Sequence, residues 1–565
     1  MTSMKVESQP EARVVDDMLS RLSVDEKIGQ LFMVATVADP DFINATSFGI
    51  GPVTYQRVSK EYIDKLIETY HIGGIIFQRL STPGSLVSAI DHYQTVNKRY
   101  NKVPLLIGQD LEWGLSMRMV DVIRFPHNMT LGALQDNKLI YAMGREIGRQ
   151  CKIVGVHINF SPVVDINTNP SNPIIGDRSF GENKKVVAQK AIAMMKGLQD
   201  VGIIACAKHF PGHGDTSQDS HLVLPVVEHS RDRLHSIELY PFRKLIKHGI
   251  QAIMTAHLDV PALAPQRSAS SLSRVIVTNL LHDELKFNGL TITDGLDMKG
   301  VLQNKVAGSV ELQALYAGND ILLCSKHIPE AMARIKRAID EGELSIGELD
   351  NHVRRILQAK LHAMDDFKVK PHGFSSDSLL SKLNTKEASA LKKSLYYKAL
   401  TLVKNDNALL PLKRGASVAC VQLSSNQEQR FFKKLASYFC TSCYQLSENA
   451  NTQELNELIK KIDAHVPVVI SFMGLNRYRD KDYGVSPTMR NLVEMLCRQN
   501  KNIILTCFGI PYACKGFETV SSILMAYEDD MDAQDGAADV IAGVHKPTGM
   551  LPVTVSSELK VGLGL

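Results

Sequence analysis

The chain has 565 residues, 44% of them apolar and 22% charged, a composition that supports large packed cores and excludes disorder as the main state. At roughly 150 residues per domain, or ~250 for a barrel, this length implies two or three domains. Lys plus Arg number 64 against 60 for Asp plus Glu, a net charge of +4, which gives no electrostatic case for nucleic acid or an anionic membrane surface. No apolar run approaches the ~18–20 residues of a membrane-spanning helix. The opening MTSMKVESQPEARVVDD lacks the apolar stretch of a signal peptide. The expected location is therefore the cytoplasm, or the cell envelope if a leader has been removed. Nine cysteines, an odd number, suggest no disulfide framework. Cys206 and Cys324 lie in apolar runs and read as small buried hydrophobes, and the lone CxxC of Cys440 and Cys443 is weak evidence for metal or redox work.

In chain order, the first signal is Ser23-Val24-Asp25-Glu26, a capping box that opens a helix. Short apolar runs follow at 31–36, 72–77, 104–109, 156–160, 203–207, 251–256, 290–293 and 320–323. Amphipathic stretches such as KVVAQKAIAMMKGLQDVG and SRDRLHSIELYPFRKLIKHG lie between them. Apolar strands alternating with helices mean a parallel sheet covered by helices, and eight such strands close a (β/α)8 barrel of the TIM type. The expected domains are a catalytic barrel over 1–370, a linker over 371–390 (around DDFKVKPHGFSSDS) and a smaller α/β/α sandwich over 391–565. In the last segment, ALTLVKNDNALLPL, SVACVQL, VPVVISF, NIILTCF, SSILMAY and LPVTV are its apolar runs, an open doubly wound sheet by size.

Barrel active sites sit where strands end at their C-termini. Asp110 and Glu112 follow the third strand, Asp165 the fourth, Lys208 and His209 the fifth, His257 the sixth and Asp294 the seventh. Any one of these fits a solvated loop; their recurrence at five of eight strands fits it poorly. The segment from Lys208 to His221, KHFPGHGDTSQDSH, is the densest. Its histidine spacings and Pro-Gly breaks do not suit a helical metal motif, so no metal is expected there. It reads either as a polar turn or as acid/base machinery in which Asp219 orients His221. Asp294 is open at this point to nucleophile, metal-ligand and helix-cap readings.

The run KHFPGHGDTSQDSH, together with LTITDGLDMKGV and LIGQDLEWG with Arg118, resembles the signatures of glycoside hydrolase family 3, within it the NagZ-type exo-β-N-acetylglucosaminidases. ALTLVKNDNALLPL and KPTGMLPVTV are similar to that family's C-terminal domain. The resemblance implies Asp294 as catalytic nucleophile and His221 as acid/base with Asp219 as its partner. It implies that Asp110, Arg118, Arg178, Lys208 and His209 hold the sugar, and it calls for no cofactor. Three departures stand out: Glu112-Trp113-Gly114 replaces an acidic-Gly-Gly stretch, Asp294-Gly295 replaces Asp-Asp, and Leu115 replaces a common Arg.

The implied chemistry is retaining hydrolysis of a terminal N-acetylglucosamine from chitin-type or peptidoglycan-derived fragments. Asp294 would form a glycosyl ester, and His221 would protonate the leaving oxygen and then activate water. The histidine is expected on a mobile loop that completes the site when substrate binds. A neutral imidazole does not repel an anionic acceptor, so a phosphorylase stays open. So do a β-glucosidase of the same family, a Schiff-base aldolase using Lys208, and a sugar-binding protein on a decayed barrel.

Overall fold

A computed structural model describes residues 9–42, 59–218, 223–302, 305–364, 376–423, 430–447, 449–463, 465–499 and 502–565. The chain packs as two compact units. One comprises Met1–Phe125, Ile140–Asp165 and Ala191–Ala388, and the other Pro126–Leu139, Ile166–Lys190 and Ser389–Leu565.

The first unit is an eight-stranded parallel barrel. Its strands are β1 (Phe32–Val37), β2 (Gly74–Gln78), β3 (Leu106–Gln109), β4 (Ile158–Asn159), β5 (Ile204–Phe210), β6 (Ala252–Thr255), β7 (Leu290–Thr293) and β8 (Leu322–Leu323). They are ordered β7-β6-β5-β4-β3-β2-β1-β8, and β7 and β8 meet through a bridge at Ile292 and Ile321, where Thr293 N donates to Ile321 O at 3.0 Å. All eight strands coincide with the apolar runs of the sequence, although β4 and β8 keep only two ladder residues each. The runs are mostly apolar because helices cover the outside while side chains fill the inside. β3, β5, β6 and β7 are buried along their whole length.

The expected capping box forms: Ser23 Oγ accepts from Glu26 N at 3.2 Å, and Ser23 N donates to Glu26 Oε2 at 2.7 Å. The segment SRDRLHSIELYPFRKLIKHG, expected as one helix, is two, Arg231–Ser236 and Leu239–Lys247. Pro241 has no N–H to give the Ile237 carbonyl, so the helix is interrupted there and restarts with proline in its first turn. It ends at Gly249, whose φ of +83° suits a residue without Cβ.

The second unit contains β9 (Thr401–Asn405), β10 (Ser417–Leu423), β11 (Cys440–Leu446), β12 (Val468–Phe472), β13 (Ile503–Cys507) and β14 (Ser522–Met525). Their order is β11-β10-β12-β13-β14-β9, parallel except for β9, which runs antiparallel to β14. This is the expected open sheet, with the first two parallel strands exchanged in the flavodoxin-like manner. LPVTV is not a strand. Its bonds do not form a ladder: Leu551 N donates to Leu563 O and Val555 N to Leu559 O, Thr554 N donates to the Glu182 carboxylate at 2.7 Å, and Pro552 has no N–H to offer. The described part of the expected linker holds the helix Ser376–Leu383 and the start of Lys386–Ala399. Among the described residues no helix is long and apolar enough to cross a membrane.

Candidate active site

The turn after β3 is fixed before any charge is added. Asn159 on β4 accepts from Leu111 N at 3.1 Å and donates to Leu111 O at 3.2 Å, so Asp110 and Glu112 flank a clamped residue. β5 bulges at the same rim, its register against β6 shifting between Ala207 and Phe210. Lys208 and His209 occupy that bulge, held against the chain after β4 by Lys208 N to Pro162 O and Val164 N to Lys208 O.

Lys208 has a 2% exposed side chain, and its Nζ lies 2.7 Å from Asp110 Oδ1 and 3.0 Å from Glu112 Oε1. Arg118, just after the short turn Leu115–Met117, reaches Asp110 Oδ2 at 3.2 Å. Two carboxylates and two cations thus form a neutral cluster with fixed geometry. Burial pushes the Asp110 carboxyl up, but Lys208 and Arg118 outweigh it and hold it below the usual carboxylate range.

A second cluster adjoins it. Asp165 is fully buried and accepts from His209 Nδ1 at 2.7 Å, His213 N at 2.7 Å and His209 N at 3.3 Å. Burial raises its carboxyl, and the two histidines more than reverse that. The carboxylate fixes the His209 tautomer with its proton on Nδ1. His213 is lowered to about 4, by burial first and by His209 second, and its Nδ1 pairs with Thr216 Oγ1 at 2.9 Å. The chain turns at Gly212, with φ +130°, where a Cβ would lie 2.8 Å from Glu238 Cβ.

Asp294 follows β7 at the same rim. Its N–H donates to Thr255 O at 2.8 Å, and its Oδ1 accepts from Gly295 N at 2.8 Å. The carboxylate therefore holds its own turn and does not cap the helix Lys299–Leu302. His257 supports that turn, with Nε2 3.0 Å from Gly295 O and Nδ1 2.7 Å from Ser271 Oγ. A carbonyl partner puts the proton on Nε2 and leaves Nδ1 to accept from the serine hydroxyl. Burial lifts the Cys206 thiol, Asp110 and Asp294 lift it further, and Lys208 opposes them. Burial first, then Asp297, and then Asp110 and Asp294 likewise raise Cys324. Both carboxylates thus act electrostatically on the same two buried thiols of the barrel.

Of the residues singled out in the sequence, Asp110, Arg118, Lys208, His209 and Asp294 share this rim. Arg178 belongs to the second unit, at the end of the turn Gly176–Arg178, where the adjacent Asp177 binds His127 at 2.8 Å and Arg477 at 3.2 Å. Asp219, His221 and the loop motion expected of them lie outside the described residues. Trp113 is 8% exposed and so fills space in the mouth, with little face left to stack on a sugar. Glu112, Asp165, His213 and His257 were not assigned roles from the sequence. Glu112, Asp165 and His257 were singled out only as polar groups in the segments after strands, and His213 only as part of the dense run KHFPGHGDTSQDSH. No group of three or more His, Cys, Asp or Glu among the described residues could hold a metal ion.

Comparison with known proteins agrees with this architecture. Residues 23–359 match the glycosyl hydrolase family 3 N terminal domain, and residues 400–561 its C-terminal domain. The chain is 30% identical over 552 residues to "Beta-hexosaminidase A" of Pseudoalteromonas piscicida, covering 87% of this chain and 91% of that protein. It is 32% identical over 308 residues to "Beta-hexosaminidase LpqI" of Mycobacterium tuberculosis, covering 52% of this chain and 77% of that one. A solved glycoside hydrolase family 3 β-N-acetylglucosaminidase from Paenibacillus sp. superposes with a TM-score of 0.77 at 29% identity, covering 96% of this chain and all of that one. With an eight-stranded barrel, a charged rim and both domain matches in chain order, this chain belongs to glycosyl hydrolase family 3.

Proposed function

We propose that the chain is a retaining exo-β-N-acetylglucosaminidase that releases terminal N-acetylglucosamine from chitin-type or peptidoglycan-derived fragments. The charged cradle of Asp110, Lys208, Glu112 and Arg118 beside Asp294 carries this reading, and the names of the relatives narrow the sugar. In this reading Asp110, Arg118, Lys208 and His209 bind the hydroxyls of one terminal ring. Asp294 attacks C1 to give a glycosyl ester. His221, oriented by Asp219, protonates the leaving oxygen and then takes a proton from water. A pre-ordered neutral cluster costs little to reorganise, so its donors and acceptors can favour the transition state. Arg178 is kept as a further sugar-binding candidate on the strength of the family motif.

Turnover of an aryl N-acetylglucosaminide by wild type and Asp294→Ala tests the reading. The variant should lose essentially all activity, and a 2-fluoro sugar should label Asp294 in the wild type; label on another residue overturns it. Loss of His221 should cost less with an activated leaving group than with a natural sugar. A second reading is favoured by the histidine itself: with an imidazole as acid/base, phosphate can serve as acceptor. Assays with and without phosphate distinguish the two, since a phosphorylase releases the sugar 1-phosphate.

A further inference from the structure

The second unit holds a pair of thiols that glycoside cleavage does not use. β10 and β11 run parallel in unbroken register from Ser417↔Cys440 to Leu423↔Leu446, which sets Cys420 opposite Cys443. Residues in register on neighbouring strands project to the same face, and a spacing of ~4.8 Å falls inside the ~4.4–6.8 Å Cα separation that a disulfide spans. Both are free thiols; Cys420 is buried, while Cys443 is exposed at the middle of an edge strand. Interaction with the Cys420 side chain brings the Cys443 thiol down to about 6, and the same interaction together with burial pushes Cys420 up. An accessible thiolate beside a second thiol is the arrangement that reacts reversibly with oxidants. Cys440 is a built-in control. It is exposed on the same strand, but three residues away it projects to the opposite face, and its register partner is Ser417. For the same reason Cys440 and Cys443 do not converge, so the CxxC is neither a chelate nor a redox loop.

We propose that Cys443 is a hydroperoxide-reactive thiol and that Cys420 is its resolving partner, the two closing reversibly into an intrachain disulfide across the β10–β11 edge. The Cys443 thiolate attacks the terminal peroxide oxygen. The O–O bond breaks, hydroxide or alkoxide leaves and takes a proton, and Cys443 becomes a sulfenic acid. The Cys420 sulfur then gives up its proton and attacks the sulfenic sulfur; the S–O bond breaks and water leaves. The two sulfurs lose two electrons in all, and the peroxide gains them. Because Cys420 is already adjacent, over-oxidation to sulfinic acid is outrun.

The full chain treated with hydrogen peroxide should lose the mass of two hydrogens and regain it with dithiothreitol. Peptide mapping should join the Cys420 and Cys443 segments. Cys443→Ser, an exposed substitution, should abolish the mass loss without altering the melting curve. Cys420→Ser should leave Cys443 as a sulfenic acid that dimedone captures. Iodoacetamide at neutral pH should label Cys443 about tenfold faster than Cys440. Equal labelling, a disulfide between two copies of the chain, or sulfinic acid at Cys443 with Cys420 still reduced would each overturn the proposal.

Discussion

Replacing Lys208 with Met tests whether the rim is a balanced charge cluster. The substitution keeps the length of the stem but removes the ammonium lying 2.7 Å from Asp110 and 3.0 Å from Glu112. Arg118 still reaches Asp110, so the lost ion pair falls on Glu112, whose side chain is 1% exposed. Stranding one member of a buried pair costs roughly 3–5 kcal/mol. The chain's single tryptophan, Trp113, is the next residue, so its fluorescence during urea unfolding reports on this barrel. The loss should depend on pH in a definite sense. In the wild type Asp110 is held below the usual carboxylate range, so its contribution is present at neutral pH and is lost on acidification. In the variant, burial without the ammonium favours the protonated form of Glu112, so that part of the stability rises as pH falls. The two curves should therefore converge on acidification. Glu112→Gln added to Lys208→Met should restore about 2 kcal/mol at neutral pH, since it removes the stranded charge. A loss below ~1 kcal/mol, a loss independent of pH, or no recovery in the double variant would refute the cluster as described.

Four further outcomes follow from the same geometry. His213 is held at about 4 when folded against ~6.5 unfolded, which is worth ~3 kcal/mol; the unfolded chain binds the proton first, so stability should fall between pH ~6.5 and ~4, and His213→Gln should flatten that part of the Trp113-monitored profile. Asp165→Asn should cost about 2 kcal/mol of stability by weakening the charge-assisted bond to His209, and it should lower kcat/KM more than it raises KM, as steady-state kinetics would show. His257→Leu leaves the Gly295 carbonyl without its donor and should cost ~1–3 kcal/mol by urea melt, with kcat falling because the turn carrying Asp294 loosens. Asp294→Ala should abolish glycoside turnover yet leave the Trp113 unfolding curve within ~1 kcal/mol of wild type, because the bond its carboxylate accepts from Gly295 N lies within its own turn.

The barrel was legible because each strand is a short apolar segment buried on both faces, a pattern that survives without knowledge of partners. β11 was not legible for the opposite reason. CTSCYQL is polar and uncharged, lies exposed at a sheet edge, and presents no apolar run to detect. What fixes it is its seven-residue register with β10, a property of two segments at once. The site divides along the same line. Closing strands into a ring turns chain order into position around the mouth, so a residue that follows a strand is already placed; this is why Asp110, Lys208, His209 and Asp294 could be chosen from the sequence. The pairings among them could not. Lys208 meets Asp110 across 98 positions and His209 meets Asp165 across 44, and nothing local says which carboxylate each cation will find. Glu112 illustrates the consequence. Read alone it is one more acid in a loop; beside Lys208 it completes a buried cluster in which Lys208 cannot be altered without stranding a charge. The family motif therefore carries the identity of the groups, while the fold supplies their charge balance. That balance favours an ion-paired, protonated Lys208 over the neutral amine a Schiff-base mechanism needs, because two carboxylates 2.7 and 3.0 Å away oppose its deprotonation.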